Sequence, residues 1–226
     1  MALPLYLAMT APEFTACSSL PIHPAWMACH FSPYGTGLSD LPPELGPEAM
    51  VILNDRIPPR GHDPGHILAQ LERLRCGCIL LDFQRSEDPE TAAIVRAVLE
   101  TSHHPVGVSH QYGKDLDCPV FLPPIPLDVS LEFYLAPWQE REIWMEAATD
   151  SLCYTVTAQG SVAGPLSQVP EQGKLDPDLH CHYRVEVLES RAEFSLWRTR
   201  EDLNALLEAA ETLGVTKAIG LWQELG

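Results

Sequence analysis

Apolar residues in this chain fall in short unbroken runs separated by stretches with helical spacing. Residues 3–9, Met50-Val-Ile-Leu53, Ile79-Leu-Leu81, Pro105-Val-Gly-Val-Ser-His110, Cys118-Pro-Val-Phe-Leu122 and Ala218-Ile-Gly-Leu-Trp222 read as strands, with Trp26–Phe31 as one more. Runs without alternation predict strands buried on both faces, as in a parallel sheet. Helices are predicted between them. Asp63 caps a helix that opens with Pro64 and carries Ile67, Leu68, Leu71 and Leu74 on one side. Asp88-Pro89 repeats that start ahead of Ala92, Val95, Val98 and Leu99.

After residue 125 the rhythm changes. Residues 131–135 and 140–148 read as helices, and Cys153-Tyr-Thr-Val-Thr157 alternates like a half-exposed strand. Residues 183–187 and 193–197 read as a hairpin. Thr199 caps a helix from Arg200 to Leu213 that ends at Gly214, and the last strand follows. The fold class expected is α/β, a small or irregular (β/α)8 TIM-type barrel. It forms one domain over residues 1–226, with an antiparallel β insertion at about 150–198.

Candidate chemistry gathers where such a barrel places it, at the carboxyl ends of strands. Asp82 and Gln84 are two residues apart, so they share a face at the exit of the run 79–81. Asn54-Asp55-Arg56 follows the strand before it, and Gln111 and Tyr112 follow the strand after it. Trp222 ends the last strand.

Charge narrows the partners. The net charge is −17 with only 14 Lys plus Arg and no basic run, which excludes phosphate-backbone and anionic-membrane binding. A neutral or cationic small molecule or oligosaccharide fits better. No Lys or Arg precedes the first apolar run and Pro4 interrupts it, so it does not read as a signal peptide. Seven scattered cysteines suit reduced thiols in a cytoplasm. His180-Cys181-His182 in a strand would send Cys181 away from both histidines, and Cys76-x-Cys78 lacks the two-residue gap of zinc knuckles. No phosphate loop or Gly-x-Ser-x-Gly elbow occurs, so neither a metal nor a cofactor is expected. The sequence does not specify an oligomeric state.

Two segments resemble glycoside hydrolase family 18, the chitinase-like (β/α)8 barrels. That family carries Asp-Gly-x-Asp-x-Asp-x-Glu on its fourth strand, and Gly77 to Gln84 is similar to it: Asp82 falls on the last Asp and Phe83 on the aromatic before the acid. Leu80 replaces the middle Asp, and Gln84 stands where the resemblance puts the catalytic Glu. Phe194 to Leu225 is similar to the closing unit, whose last-strand Trp, here Trp222, floors a sugar subsite. The family's strand-six Tyr-Asp pair has no counterpart.

The resemblance implies substrate-assisted cleavage of N-acetylhexosamine sugars, in which a Glu protonates the leaving oxygen. An amide has no such proton, so Gln84 cannot serve, and general acid catalysis contributes ~10²–10⁴-fold. Asp55 is the first substitute by position, with Glu140 and Glu142 behind it. Three readings therefore stay open. One is a sugar-binding pseudoenzyme or weak hydrolase using Asp82, with Asn54, Arg56, Gln111, Tyr112 and Trp222 around the sugar. Another is an intracellular protein-interaction scaffold. The third is a metal-assisted hydrolase through Asp55 and Asp82.

Overall fold

The structure is a computed structural model and describes residues 3–226. Its elements in chain order are β1 (Leu5–Met9), α1 (Ala11–Ala16), β2 (Pro24–Trp26), β3 (His30–Phe31), β4 (Leu38–Ser39), β5 (Met50–Asn54), α2 (Pro64–Leu71) and β6 (Cys78–Asp82). There follow α3 (Pro89–Thr101), β7 (Val106–Ser109), α4 (His110–Gly113), β8 (Val120–Leu122), α5 (Leu131–Leu135), β9 (Ile143–Ala147), β10 (Ser151–Thr157) and β11 (Gly160–Gly164). The last are β12 (Lys174–Asp176), β13 (Cys181–Val187), β14 (Arg191–Trp197), α6 (Arg200–Thr212), β15 (Val215–Leu221) and α7 (Trp222–Leu225). The chain divides into two compact units. One is built from Pro4–Pro123, Glu140–Glu146 and Val215–Gly226, and the other from Pro124–Gln139 and Ala147–Gly214.

The first unit is a closed barrel. Eight strands run in the order β2-β1-β15-β9-β8-β7-β6-β5, and β2 pairs back onto β5 through Ala25↔Met50 and Trp26↔Val51. Every pairing among them is parallel. The expected (β/α)8 barrel is therefore present, with irregular crossovers such as the short β3–β4 hairpin between β2 and β5.

Two apolar layers explain the unbroken runs. Inside, Tyr6, Ala8, Met50, Ile52, Cys78, Leu80, Phe121, Trp144 and Ile219 fill the barrel. The alternate residues Val51, Leu53, Ile79, Leu81, Val106 and Val108 face outward against Ile67 and Leu71 of α2 and Ile94, Val95 and Val98 of α3. Both parities of each strand are thus buried, which removes the polar alternation of a half-exposed sheet. The interior is a packed core: a Cβ on Gly107 would lie 2.2 Å from the Trp144 ring.

The second unit is an antiparallel sheet in the order β11-β10-β14-β13-β12. Leu152, Tyr154, Tyr183 and Leu196 cover one face together with Cys181 and Leu127. Helix α6 starts from a capping box between Thr199 and Asp202, and His182 Nδ1 reaches the same carboxylate at 2.8 Å.

Some elements differ from the expectation. The largest change concerns residues 140–148, expected as a helix: Ile143–Ala147 is the seventh barrel strand. Glu, Met and Ala favour helices in isolation, but Ile143, Trp144 and Met145 are all buried, and tertiary packing overrides propensity. Residues 26–31 divide between β2 and β3. Gln111 and Tyr112 lie inside the short helix α4, and Trp222 opens α7 after β15 has ended at Leu221. His180 stands just before β13 with φ 49°, so it does not share a strand face with His182. All seven cysteines are free thiols.

Candidate active site at the barrel mouth

The exit of β6 is held from both neighbouring strands. On the β5 side, Asp55 is buried and its carboxylate accepts the backbone N–H of Gln84 at 3.0 Å and of Arg85 at 2.9 Å. On the β7 side, buried Ser109 Oγ donates to Phe83 O at 2.8 Å and accepts from Phe83 N at 3.1 Å. Phe83 is itself fully buried, between Phe31 and Tyr112. Four hydrogen bonds and two ring contacts therefore fix three consecutive residues, which is the rigidity a functional site needs.

That rigidity positions Asp82 and Gln84. Leu80 faces the barrel interior, so Asp82 and Gln84 continue along the same face into the mouth. The Gln84 side-chain amide donates to Asp82 Oδ1. Above them opens a cavity of about 660 Å³, within the size range of small-ligand sites. Its exposed walls are largely apolar, including Met27, Ile52, Phe121 and Ile219, with polar and charged groups such as Asp82, Gln84 and Arg56 set among them. Asn54 lines it, but its amide is tied to Met27 O at 3.1 Å and Cys29 O at 3.0 Å. Arg56 stands at the rim, 4.0 Å from Asp40.

Two further acids line this cavity, Asp40 beside Arg56 and Glu146 of β9, and the second comes from a barrel strand. Glu146 lies two residues beyond interior-facing Trp144, so it enters the mouth from the strand across the barrel order from β6. Burial, then the charge of Asp82, then that of Glu224 push its carboxyl up to about 7. Asp82 is also raised, mainly by burial and further by Asp55, while the Gln84 hydrogen bond opposes the rise. Two carboxyl groups whose proton affinities are both raised by burial therefore share one cavity.

Of the residues singled out from the sequence, the structure brings Asp82, Gln84, Asp55, Asn54 and Arg56 together around one cavity. Asp55 has both carboxylate oxygens committed to main-chain amides, which makes it a support for the β6 exit. Gln111 and Tyr112 line a different depression, beside α3, and the Tyr112 hydroxyl donates to Ser86 O at 3.2 Å. Trp222 is half-buried and is not among the lining residues. Among the described residues no group of three or more His, Cys, Asp and Glu is arranged to hold a metal ion. The sequence reading missed Glu146 and Ser109. Glu146 was hidden by the helical reading of its segment, and only the parity Trp144–Glu146 of a strand would have exposed it.

A larger, more open groove of about 1130 Å³ lies on the antiparallel sheet beneath residues 165–174. Its charged lining is largely self-paired, Arg184 with Glu186 and Arg191 with Glu193 on the same strands, as on a solvated surface.

No protein-family model and no curated protein matches the sequence. Solved structures match by fold. The spore cortex-lytic enzyme SleL of Bacillus cereus is 10% identical, with 100% of this chain and 71% of that chain covered at a TM-score of 0.54. A chitinase from Chromobacterium violaceum is 10% identical, covering 97% and 93% of the two chains at 0.52. SleL of Bacillus megaterium is 11% identical, covering 98% and 70% at 0.51. At these identities the similarity is one of fold: the chain has the barrel architecture of glycosidase-type structures. No helix among the described residues is long and apolar enough to cross a membrane.

Proposed function

We propose that the barrel mouth is a carbohydrate site for N-acetylhexosamine-type oligosaccharides, built on a family 18-like barrel whose fourth-strand acid is replaced by Gln84. One observation carries the reading. The Asp82–Gln84 pair sits hydrogen-bonded at the end of the fourth barrel strand, under a cavity large enough for a sugar ring or two. The barrel likeness to a chitinase and to spore cortex-lytic enzymes supports the substrate class. Polar groups set among apolar walls suit sugar rings, which present C–H faces as well as hydroxyls.

Gln84 donates to Asp82 and keeps its carbonyl oxygen to accept from a sugar hydroxyl. Asp82 accepts from ligand N–H or O–H groups. The Gln84 amide has no proton to give a leaving oxygen, so the pair binds and orients. Whether cleavage accompanies binding depends on an acid from elsewhere in the mouth.

Calorimetric titration with N-acetylglucosamine oligomers tests the reading. Saturable heat is expected in the parent chain, lost in Asp82→Leu and kept in Trp222→Ala. The absence of heat from every oligomer would overturn the sugar reading and favour a barrel retained as a protein scaffold.

A further inference from the structure

We propose that Glu146 is the proton donor of this barrel, standing in from the seventh strand for the acid that Gln84 cannot provide on the fourth. The inference rests on the sugar reading above and adds a reaction to it: hydrolysis of a β-linked N-acetylhexosamine glycoside.

Placement is the first argument. Glu146 shares with Trp144 the interior parity of β9 and lines the same cavity as Asp82 and Gln84. A general acid must reach the oxygen that leaves, and a group on a strand end inside the cavity is placed for that by the backbone itself.

Environment is the second. No cation stabilises the Glu146 carboxylate among the described residues. The charged groups that face it are Asp82 from β6 and Glu224 from α7, both acidic, with Asp55 behind Asp82. Arg56 and Arg85 lie at the rim, and Asp55 binds the Arg85 amide. Burial among like charges favours the neutral carboxyl, which brings its proton affinity up to about 7 and leaves it half protonated at neutral pH. Burial raises Asp82 as well, but the amide hydrogen bond that it accepts from Gln84 favours its charged form, so the two carboxyl groups stand in different environments.

The proton balance closes. In the first half-reaction the Glu146 carboxyl proton passes to the glycosidic oxygen. The C1–O bond breaks with its electron pair on that oxygen, while the carbonyl oxygen of the sugar's own 2-acetamido group bonds to C1. The Asp82 carboxylate stabilises the positive charge that develops. In the second half-reaction water bonds to C1, its proton returns to the Glu146 carboxylate, and the acetamido oxygen departs. One glycosidic bond and one water are consumed, and Glu146 is regenerated.

The experiment pairs turnover with binding. Cleavage of N-acetylchitotetraose and of a 2,4-dinitrophenyl N-acetylglucosaminide is followed between pH 5 and 9 for the parent, Glu146→Gln, and Glu146→Gln combined with Gln84→Glu. Calorimetry on the uncleaved oligomer runs beside each. The parent should cleave with an alkaline limb near pH 7. Glu146→Gln should lose ~10²-fold or more on the tetrasaccharide, in keeping with lost general acid catalysis. It should lose far less on the dinitrophenyl substrate, whose leaving group needs no proton, and bind as before. A partial return in the double variant would place the acid's role on either side of the same bond. Intact binding with no cleavage by the parent, or unchanged cleavage by Glu146→Gln, overturns the role of Glu146 and leaves the sugar site standing. Absence of binding in the parent overturns both.

Discussion

The Asp55 carboxylate accepts two consecutive main-chain amides from across a strand boundary, Gln84 N at 3.0 Å and Arg85 N at 2.9 Å. It is the tether that sets where β6 ends. Asp55→Ala removes the protein acceptor of both part-buried amides, and hydrogen bonds to a charged group are worth about 1.5–3 kcal/mol each. Urea unfolding should show a loss of about 2–4 kcal/mol, and Asp55→Asn a smaller one because one carbonyl oxygen remains. Oligosaccharide affinity should fall in both variants, since Asp82 and Gln84 lose their anchor.

Glu146 makes stability depend on pH in an unusual direction. Its carboxyl rises from an ordinary 4.5 when unfolded to about 7 when folded. Between those values the folded chain binds more protons than the unfolded one, so its contribution weakens as pH rises and the penalty is complete above about 7. Glu146→Gln removes the penalty. With partial solvent screening the gain at pH 8 should be about 1–2 kcal/mol, or a Tm increase of about 2–8 °C, shrinking to nothing near pH 4. Equal melting temperatures at pH 8 would contradict the burial of this group.

Gly107 leaves room for Trp144. Its absent Cβ would fall 2.2 Å from the Trp144 ring, which is fully buried, hydrogen-bonded through Nε1 to Glu142 at 3.0 Å and covered by Lys217 Nζ at 4.4 Å. The ring has nowhere to go. Gly107→Ala should destabilise by about 1–3 kcal/mol or more through overpacking, and adding Trp144→Phe should recover part of that loss. Thermal denaturation of the two variants checks it.

Arg141 closes the loop between β7 and β8. Its guanidinium donates to the carbonyl oxygens of Gly113 at 3.1 Å, Lys114 at 2.9 Å and Cys118 at 3.0 Å, and also to Leu116. A lysine has a compact ammonium head and no planar fork, so it cannot span them. Arg141→Lys should therefore destabilise nearly as much as Arg141→Ala. Amide hydrogen exchange in residues 113–118 should accelerate in both.

The barrel was legible because its strands announce themselves twice. Met50–Leu53 and Ile79–Leu81 are apolar at every position, and Asp63-Pro64 and Asp88-Pro89 mark where the intervening helices begin. Asp82 and Gln84 were legible for the same reason, as the first polar residues beyond such a run. Glu146 was not. Its segment, residues 140–148, holds three glutamates and ends Glu-Ala-Ala, a composition that favours a helix locally, and its place in the sheet between β15 and β8 makes it a strand. The tying role of Asp55 was equally hidden, because its partners lie about 30 residues away in sequence and are brought close by the parallel register Asn54↔Asp82. Tyr112 was expected in the cleft because β7 was read as running straight into loop. The immediate start of α4 turns its ring back against Phe83.

The barrel is sealed by β1 pairing with β15, Leu5↔Ala218 through Ala8↔Leu221, residues about 200 apart in sequence. At synthesis rates of about 5–20 residues per second, β1 waits roughly 10–40 s for its partner strand. β1 presents an unpaired edge throughout that interval, and β9 adds a second once residue 147 has been made. Folding is thereby timed by the ribosome at its last step, and a nascent chain stalled before residue 215 is a strong client for holding chaperones, with two open edges able to pair with those of other chains.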